Sequence, residues 1–340
     1  MIALSLGEIA EITGGTLRDL DGAEPAVAAG GTVIPGATVV TNAVEFDSRK
    51  ISPGDLFVAL PGERVDGHDF AAAAAAAGAV ATLASRPIGT PAIVVDDVLV
   101  ALGVLARAVI DRLPDLTVIG ITGSSGKTST KDLLAQLVEP LGPTVAPPGS
   151  FNNELGHPYT VLRCNEQTRF LVLEKGARGL GHIRALTQIA PPRIGVVLNV
   201  GAAHVGEFGS LEVTAQAKGE LVEALPPTAQ GGVAVLNADD PAVAAMNSRT
   251  HARVVRFGVE QPAGTPDPDT PSPDVRATNV VLDSQGRASF TLHTPAGRAE
   301  VSLGLHGEHH VGNALACAAV VTELGVEPER IAAGLGAAMP

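Results

Sequence analysis

Short apolar runs, each closed by glycine, proline or an acidic pair, recur along this chain. Residues 56–60 form one such run, stopped by Pro61-Gly62, and residues 93–95 form another. Apolar side chains at consecutive positions predict strands buried on both faces. Two β-branched pairs within residues 33–40 flank a turn at Pro35-Gly36. Residues 71–77 are all alanine and predict a helix ended by Gly78. Asp96-Asp97 predicts the start of another, running to Arg112, because acidic groups favour the positive end of a helix.

After Leu116 the pattern tightens into strand, turn and helix. Residues 117–121, 170–173, 194–198, 233–236 and 254–258 read as strands, with helices at 127–138 and 212–225 among the intervening segments. Asn237-Ala238-Asp239-Asp240-Pro241 caps a further helix. That alternation predicts a mostly parallel sheet covered by helices. Residues 261–273, rich in Pro, Asp and Thr, read as a loop. Residues 275–283, 288–293 and 298–305 then predict a small antiparallel sheet, followed by helices at 311–324 and 330–338. The fold class is α/β, with an N-terminal domain over residues 1–96 and a central domain over 97–338. No fixed-period repeat is present, which excludes a solenoid.

Composition narrows the function classes. The 340 residues are 45% hydrophobic and 17% charged, enough apolar material for a core and too little charge for wholesale disorder. With 23 basic against 36 acidic residues the net charge is −13, which argues against nucleic acid or an anionic membrane as partner. Two cysteines, Cys164 and Cys317, read as buried thiols of a reducing compartment. The start shows no secretory pattern and no run reaches the ~18–20 apolar residues a membrane span needs. The expectation is a soluble, cytoplasmic, monomeric protein. Only five basic residues are lysine: Lys50, Lys127, Lys131, Lys175 and Lys218. A composition that favours arginine so strongly makes each lysine position worth inspecting.

The candidate chemistry begins at Gly123-Ser124-Ser125-Gly126-Lys127-Thr128-Ser129, between a predicted strand and a predicted helix. Glycines let successive N–H groups turn into one concavity, and the helix start adds partial positive charge. Lys127 can reach terminal phosphates, and Thr128 or Ser129 can place a hydroxyl on Mg²⁺. The usual spacing requires glycine at position 121, where Ile121 stands, so the loop is a shortened one.

This loop resembles that of the Mur ligases and their relative folylpolyglutamate synthase. Further segments resemble family motifs in order: Phe151-Asn152-Asn153-Glu154-Leu155-Gly156-His157-Pro158, Glu174-Lys175-Gly176-Ala177-Arg178, Asn199-Val200-Gly201-Ala202-Ala203-His204, Ala217-Lys218-Gly219-Glu220 and Leu236-Asn237-Ala238-Asp239-Asp240-Pro241. Asp47-Ser48-Arg49, residues 53–60 and Asp66-Gly67-His68 resemble the family's UDP-sugar domain. The second loop is similar to the version in members that add D-alanyl-D-alanine.

The resemblance implies an ATP-dependent amide ligase working through an acyl phosphate in peptidoglycan precursor synthesis. Its partners would be UDP-N-acetylmuramoyl-tripeptide and D-alanyl-D-alanine, and its cofactors ATP and two Mg²⁺ ions. It assigns Glu174, Thr128 and His204 to Mg²⁺, with His204 also catalytic beside Lys127. It assigns Lys218 to a catalytic carbamate that would bind the second Mg²⁺. Asn313 would meet the adenine, although His310 stands where the family usually has asparagine. Asp47, Ser48 and Arg49 would hold the uridine diphosphate, and Asn152, Asn153 and Arg178 the substrate. The sequence leaves plainer readings open. Asp47–Arg49 is equally a local ion pair, Lys218 a solvated lysine paired with Glu212 or Glu223, and Lys175 a side chain pointing to solvent. The sister ligase adding the third amino acid, or a P-loop module without ligation, are the alternative functions. Nothing after Ala338 resembles the family's third domain, so the chain as given is expected to bind nucleotide without completing ligation.

Overall fold

A computed structural model describes residues 1–18, 36–62, 65–201, 210–260 and 272–339. The chain forms two compact units, Met1–Asp115 with Glu154–Gln167, and Leu116–Asn153 with Thr168–Pro340.

In the first unit, β1 (Leu4–Ser5) pairs antiparallel with β3 (Val39–Val40). Helix α1 (Leu6–Thr13) starts on a capping box, the Ser5 hydroxyl accepting from the Glu8 N–H while the Glu8 carboxylate accepts from the Ser5 N–H. Strands β2 (Thr16–Arg18), β4 (Val44–Glu45), β5 (Leu56–Val58), β6 (Ala81–Ala84) and β7 (Ala92–Val94) form a sheet in the order β2-β7-β6-β5-β4. All its pairings are parallel except β2–β7. Helix α2 (Ala71–Ala76) follows the alanine run, and α3 (Val98–Asp111) is capped by Asp97, whose carboxylate accepts from the Leu99 and Val100 N–H groups. The sequence division between residues 96 and 97 therefore shifts. Leu102, Leu105, Ala106 and Val109 bury one face of α3, which packs against α1 and the short helix α5 (Gly156–Val161), so α3 belongs with the first unit.

Among the described residues the second unit has nine strands: β8 (Thr117–Thr122), β9 (Thr144–Val145), β10 (Phe170–Glu174), β11 (Ile194–Val197), β12 (Val233–Asn237), β13 (Arg253–Val259), β14 (Val275–Leu282), β15 (Arg287–Thr294) and β16 (Gly297–His306). Their order is β16-β15-β14-β13-β12-β11-β8-β10-β9. Pairings from β9 across to β14 are parallel, and β14, β15 and β16 are antiparallel, as the strand patterns predict. Helices α4 (Lys127–Val138), α6 (His182–Ile189), α7 (Leu211–Glu223), α8 (Pro241–Ala244), α9 (His309–Glu323) and α10 (Pro328–Ala337) surround the sheet. Val196 packs into one apolar cluster with Leu134 and Leu315, while its neighbour Val197 packs into another with Leu221 and Leu236. Successive residues pointing to two buried faces explain why these strands lack alternation.

Candidate nucleotide site

Strand β8 is buried along its whole length and delivers the chain to Gly123 at its carboxyl end. In a sheet of this kind ligands bind beyond that end of the strands. Gly126 turns the chain at φ +80°, a left-handed conformation that glycine alone adopts without strain. A Cβ there would also lie 2.7 Å from the Asn313 Oδ1. Among the described residues no side chain caps the first turn of α4, so its N–H groups remain available to an anion. Lys127 Nζ donates to the Gly123 carbonyl at 2.7 Å, curling back over the loop, and is half-buried rather than fully exposed. Burial lowers its pKa, and the Glu174 charge opposes that shift.

Asn199, just beyond β11, braces the loop. Its Oδ1 accepts from the Ser124 and Ser125 N–H groups at 2.9 and 3.0 Å, and the Gly201 N–H donates to the Ser124 hydroxyl at 2.9 Å. The sequence marks Asn199 only as part of a motif, because nothing local shows that β11 runs beside β8.

Glu174 ends β10 directly opposite Ile121 in register and is fully buried. Asn152 Nδ2 donates weakly to its Oε2 at 3.5 Å, the Thr128 side chain favours the charged carboxylate, and among the described residues Oε1 has no partner. Burial raises the Glu174 pKa, against Thr128, Lys131, Asn152 and Lys127. A buried carboxylate oxygen with no donor, beside a hydroxyl at a phosphate loop, fits a hard divalent cation. Among the described residues no three His, Cys, Asp or Glu side chains converge as a metal cage. Mg²⁺ is commonly held by one or two carboxylates together with phosphate oxygens and water.

Three lysines near the loop are buried, against the plain expectation for a charged amine. Lys131, one turn into α4, donates to the Pro147 and Gly149 carbonyls and so holds the segment that leads to Asn152. Lys175 does not point to solvent. Its chain passes beneath Gly120, and Nζ donates to the Leu186 and Ala190 carbonyls, both at 3.2 Å. Lys218 sits mid-helix in α7, is 4% exposed, and is not the solvated partner of Glu212 or Glu223. Glu223 binds Arg249 and Arg184 instead. Burial, then the Lys127 charge, brings the Lys218 pKa down to about 8.

The remaining candidates scatter more widely. Asn313 is buried against Gly126, and among the described residues its Nδ2 has no partner. The His309 and His310 rings lie tilted by 39° with centroids 4.2 Å apart, and burial lowers the His310 pKa. Ser129 and His310 line a cavity of about 310 Å³ with Asp132, Leu305 and His306. Asn153 and Arg178 are exposed. His204 lies outside the described residues. In the first unit, Asp47 caps a turn over Ser48–Lys50, and the Arg49 fork grips the Asp47 carboxylate at 2.9 and 2.8 Å, so the local ion pair is present. Thus the second unit gathers the loop, Asn152, Glu174, Lys218 and Asn313, and the Asp47–Arg49 group belongs to the first.

Comparison with known proteins agrees with this geometry. Residues 121–321 match the Mur ligase middle domain, and residues 41–113 match the Mur ligase family catalytic domain. The UDP-N-acetylmuramoyl-tripeptide–D-alanyl-D-alanine ligase of Mycobacterium tuberculosis is 52% identical over all of this chain, which spans 67% of that relative. The crystal structure of MurF from Acinetobacter baumannii superposes with a TM-score of 0.83 at 33% identity, covering 99% of this chain and 69% of that one. MurF ligase from Thermotoga maritima, solved in complex with ADP, gives 0.74 at 29% identity, over 88% of this chain and 67% of that one. A shortened phosphate loop opening α4, a buried carboxylate ending the neighbouring strand, and these matches across both units place the chain in the Mur ligase family.

Proposed function

We propose that the protein carrying this chain, which spans about two thirds of the relatives it matches, is an ATP-dependent amide ligase that joins D-alanyl-D-alanine to UDP-N-acetylmuramoyl-tripeptide, in the cytoplasm and as a monomer. The observation that carries the reading is the buried Glu174 carboxylate at the end of β10, beside the strand that leads into the loop, with Oε1 unpartnered among the described residues. A carboxylate and an amine do not condense usefully in neutral water, so the acceptor carboxylate must first attack the ATP γ-phosphate. Two anions then approach each other, and the site has to offset their repulsion. Lys127 and the uncapped start of α4 supply fixed positive charge for this purpose. Thr128 and Glu174 would hold Mg²⁺, which adds charge neutralisation on the phosphates.

Lys218 supports the finer part of the proposal. A lysine amine with a pKa of about 8 is partly neutral near physiological pH, as reaction with CO₂ requires. The carbamate so formed would replace repulsion with attraction toward Lys127 and offer oxygens, with His204, to a second Mg²⁺. Asn313 fits contact with the base, Asp47, Ser48 and Arg49 contact with the uridine diphosphate, and Asn152, Asn153 and Arg178 contact with substrate. The relatives matched along the whole chain are named for D-alanyl-D-alanine addition, which favours this reading over the sister ligase. The test is product formation with alternative amines. D-alanyl-D-alanine should be ligated to the UDP-tripeptide, and preference for a free amino acid on the UDP-dipeptide would refute the assignment.

A further inference from the structure

Helix α6 connects two residues that neither the phosphate loop nor the substrate contacts explain. At its C-terminal end Lys175 Nζ donates to the Leu186 and Ala190 carbonyls. At its N-terminal end the buried Glu220 carboxylate, on α7, accepts from the Gly181 N–H at 2.6 Å and the Arg184 N–H at 3.0 Å. The lysine meets the negative end of the helix and the glutamate its positive end, so both contacts agree with the dipole. Lys175 immediately succeeds Glu174, and Glu220 lies two positions after Lys218. Residues two apart on a helix point about 200° away from each other, so α7 can turn Glu220 toward α6 and Lys218 toward the loop. Gly120 makes room for the arrangement, since a Cβ there would come within 2.8 Å of Lys175 Cε.

We infer that α6 is a strut whose clamps, Lys175 and Glu220, fix the position of Glu174 relative to Lys218, making both clamps positioning residues for the divalent-cation ligands. The inference rests on the proposed Mg²⁺ role of Glu174 and Lys218. Loss of a clamp lets the strand end carrying Glu174 and the helix carrying Lys218 shift against each other. Groups that orient metal ligands in this way commonly change metal affinity about 10–100-fold when removed.

The experiment is calorimetric titration of Mg²⁺ into the ADP-bound protein, with ADP affinity also measured without Mg²⁺. Lys175→Met keeps an unbranched side chain as far as Cε and removes both hydrogen bonds; Glu220→Gln weakens the other clamp. Each should raise the Mg²⁺ midpoint about 10-fold while Mg²⁺-free ADP affinity stays unchanged. Asp97→Ala, which lowers stability in the first unit, should leave the midpoint where it is. An unchanged midpoint in folded Lys175→Met overturns the strut, and if that variant does not fold, an unchanged midpoint in Glu220→Gln overturns it equally. Should wild-type ADP binding show no dependence on Mg²⁺, the proposed cation site itself fails and the strut with it.

Discussion

Lys127 carries the sharpest expectation at the scale of single residues. Its amine makes one hydrogen bond within the loop, so Lys127→Ala should cost about 1 kcal/mol of stability or less. ATP turnover should fall about 10²–10³-fold, as for loss of one preorganised contact to developing charge. Steady-state phosphate release beside a melting curve separates the two effects, and unchanged turnover would remove Lys127 from the site. Lys218 should form a carbamate when the protein is equilibrated with ¹³C-labelled CO₂. A labelled carbonyl resonance that disappears in Lys218→Ala is the expected result, and its absence from the wild type would count against the modification. Tyr159 offers an unusually clean reading because it is the chain's one tyrosine and there is no tryptophan. Burial, with the hydrogen bond and charge of Glu45, pushes its pKa up to about 12 from the ordinary 10.0. The folded state then holds the proton where the unfolded chain has lost it. This contact stabilises fully below about pH 10, and its contribution is lost as pH rises toward 12. Near-ultraviolet titration of the phenolate in the folded protein should show the raised midpoint; a midpoint near 10 would mean that the Glu45 contact does not exist in solution.

Elements differ in how plainly the sequence announces them. Helix α4 begins and ends where the sequence predicts, because a glycine-rich loop precedes it and its apolar residues recur at helical spacing. Strand β6 goes unread, since Ala81-Thr82-Leu83-Ala84 comes after a long alanine run and carries little β-branched signal. Its neighbours β5 and β7, pairing on either side, impose the strand. Lys175 defeats local reading for a similar reason: a lysine after a strand looks like the start of a loop, and only the packing of Gly120 and α6 gives it a buried course. Two substitutions test the elements that hold the site. Gly126→Ala forces a Cβ into the left-handed region and against Asn313, and should cost about 1–3 kcal/mol while weakening nucleotide binding. Asp97→Ala removes the cap of α3 and should cost about 1 kcal/mol with nucleotide affinity intact. Denaturant midpoints and ADP titrations report both quantities.

For the molecule as a whole, the parallel sheet with its antiparallel extension was legible because strand runs and turn residues alternate so regularly after Leu116. The division between units was not. Helix α3 looks contiguous with strand β8, only a few residues further along the chain, and its allegiance to the first unit comes from contacts with α1 and with α5, a segment inserted from residues 154–167. Such long-range packing leaves no local mark. Among the described residues no helix is long and apolar enough to cross a membrane. The chain spans about two thirds of the length of the relatives it matches, across both units. The central claim, that the loop of the second unit activates a carboxylate bound for amide formation, is tested most directly by phosphate release from ATP with UDP-N-acetylmuramoyl-tripeptide and D-alanyl-D-alanine supplied singly and together. The protein carrying this sequence should release phosphate in sustained turnover only when both are present, with stoichiometric formation of the pentapeptide. Sustained hydrolysis indifferent to either substrate, with no new amide, would contradict the account.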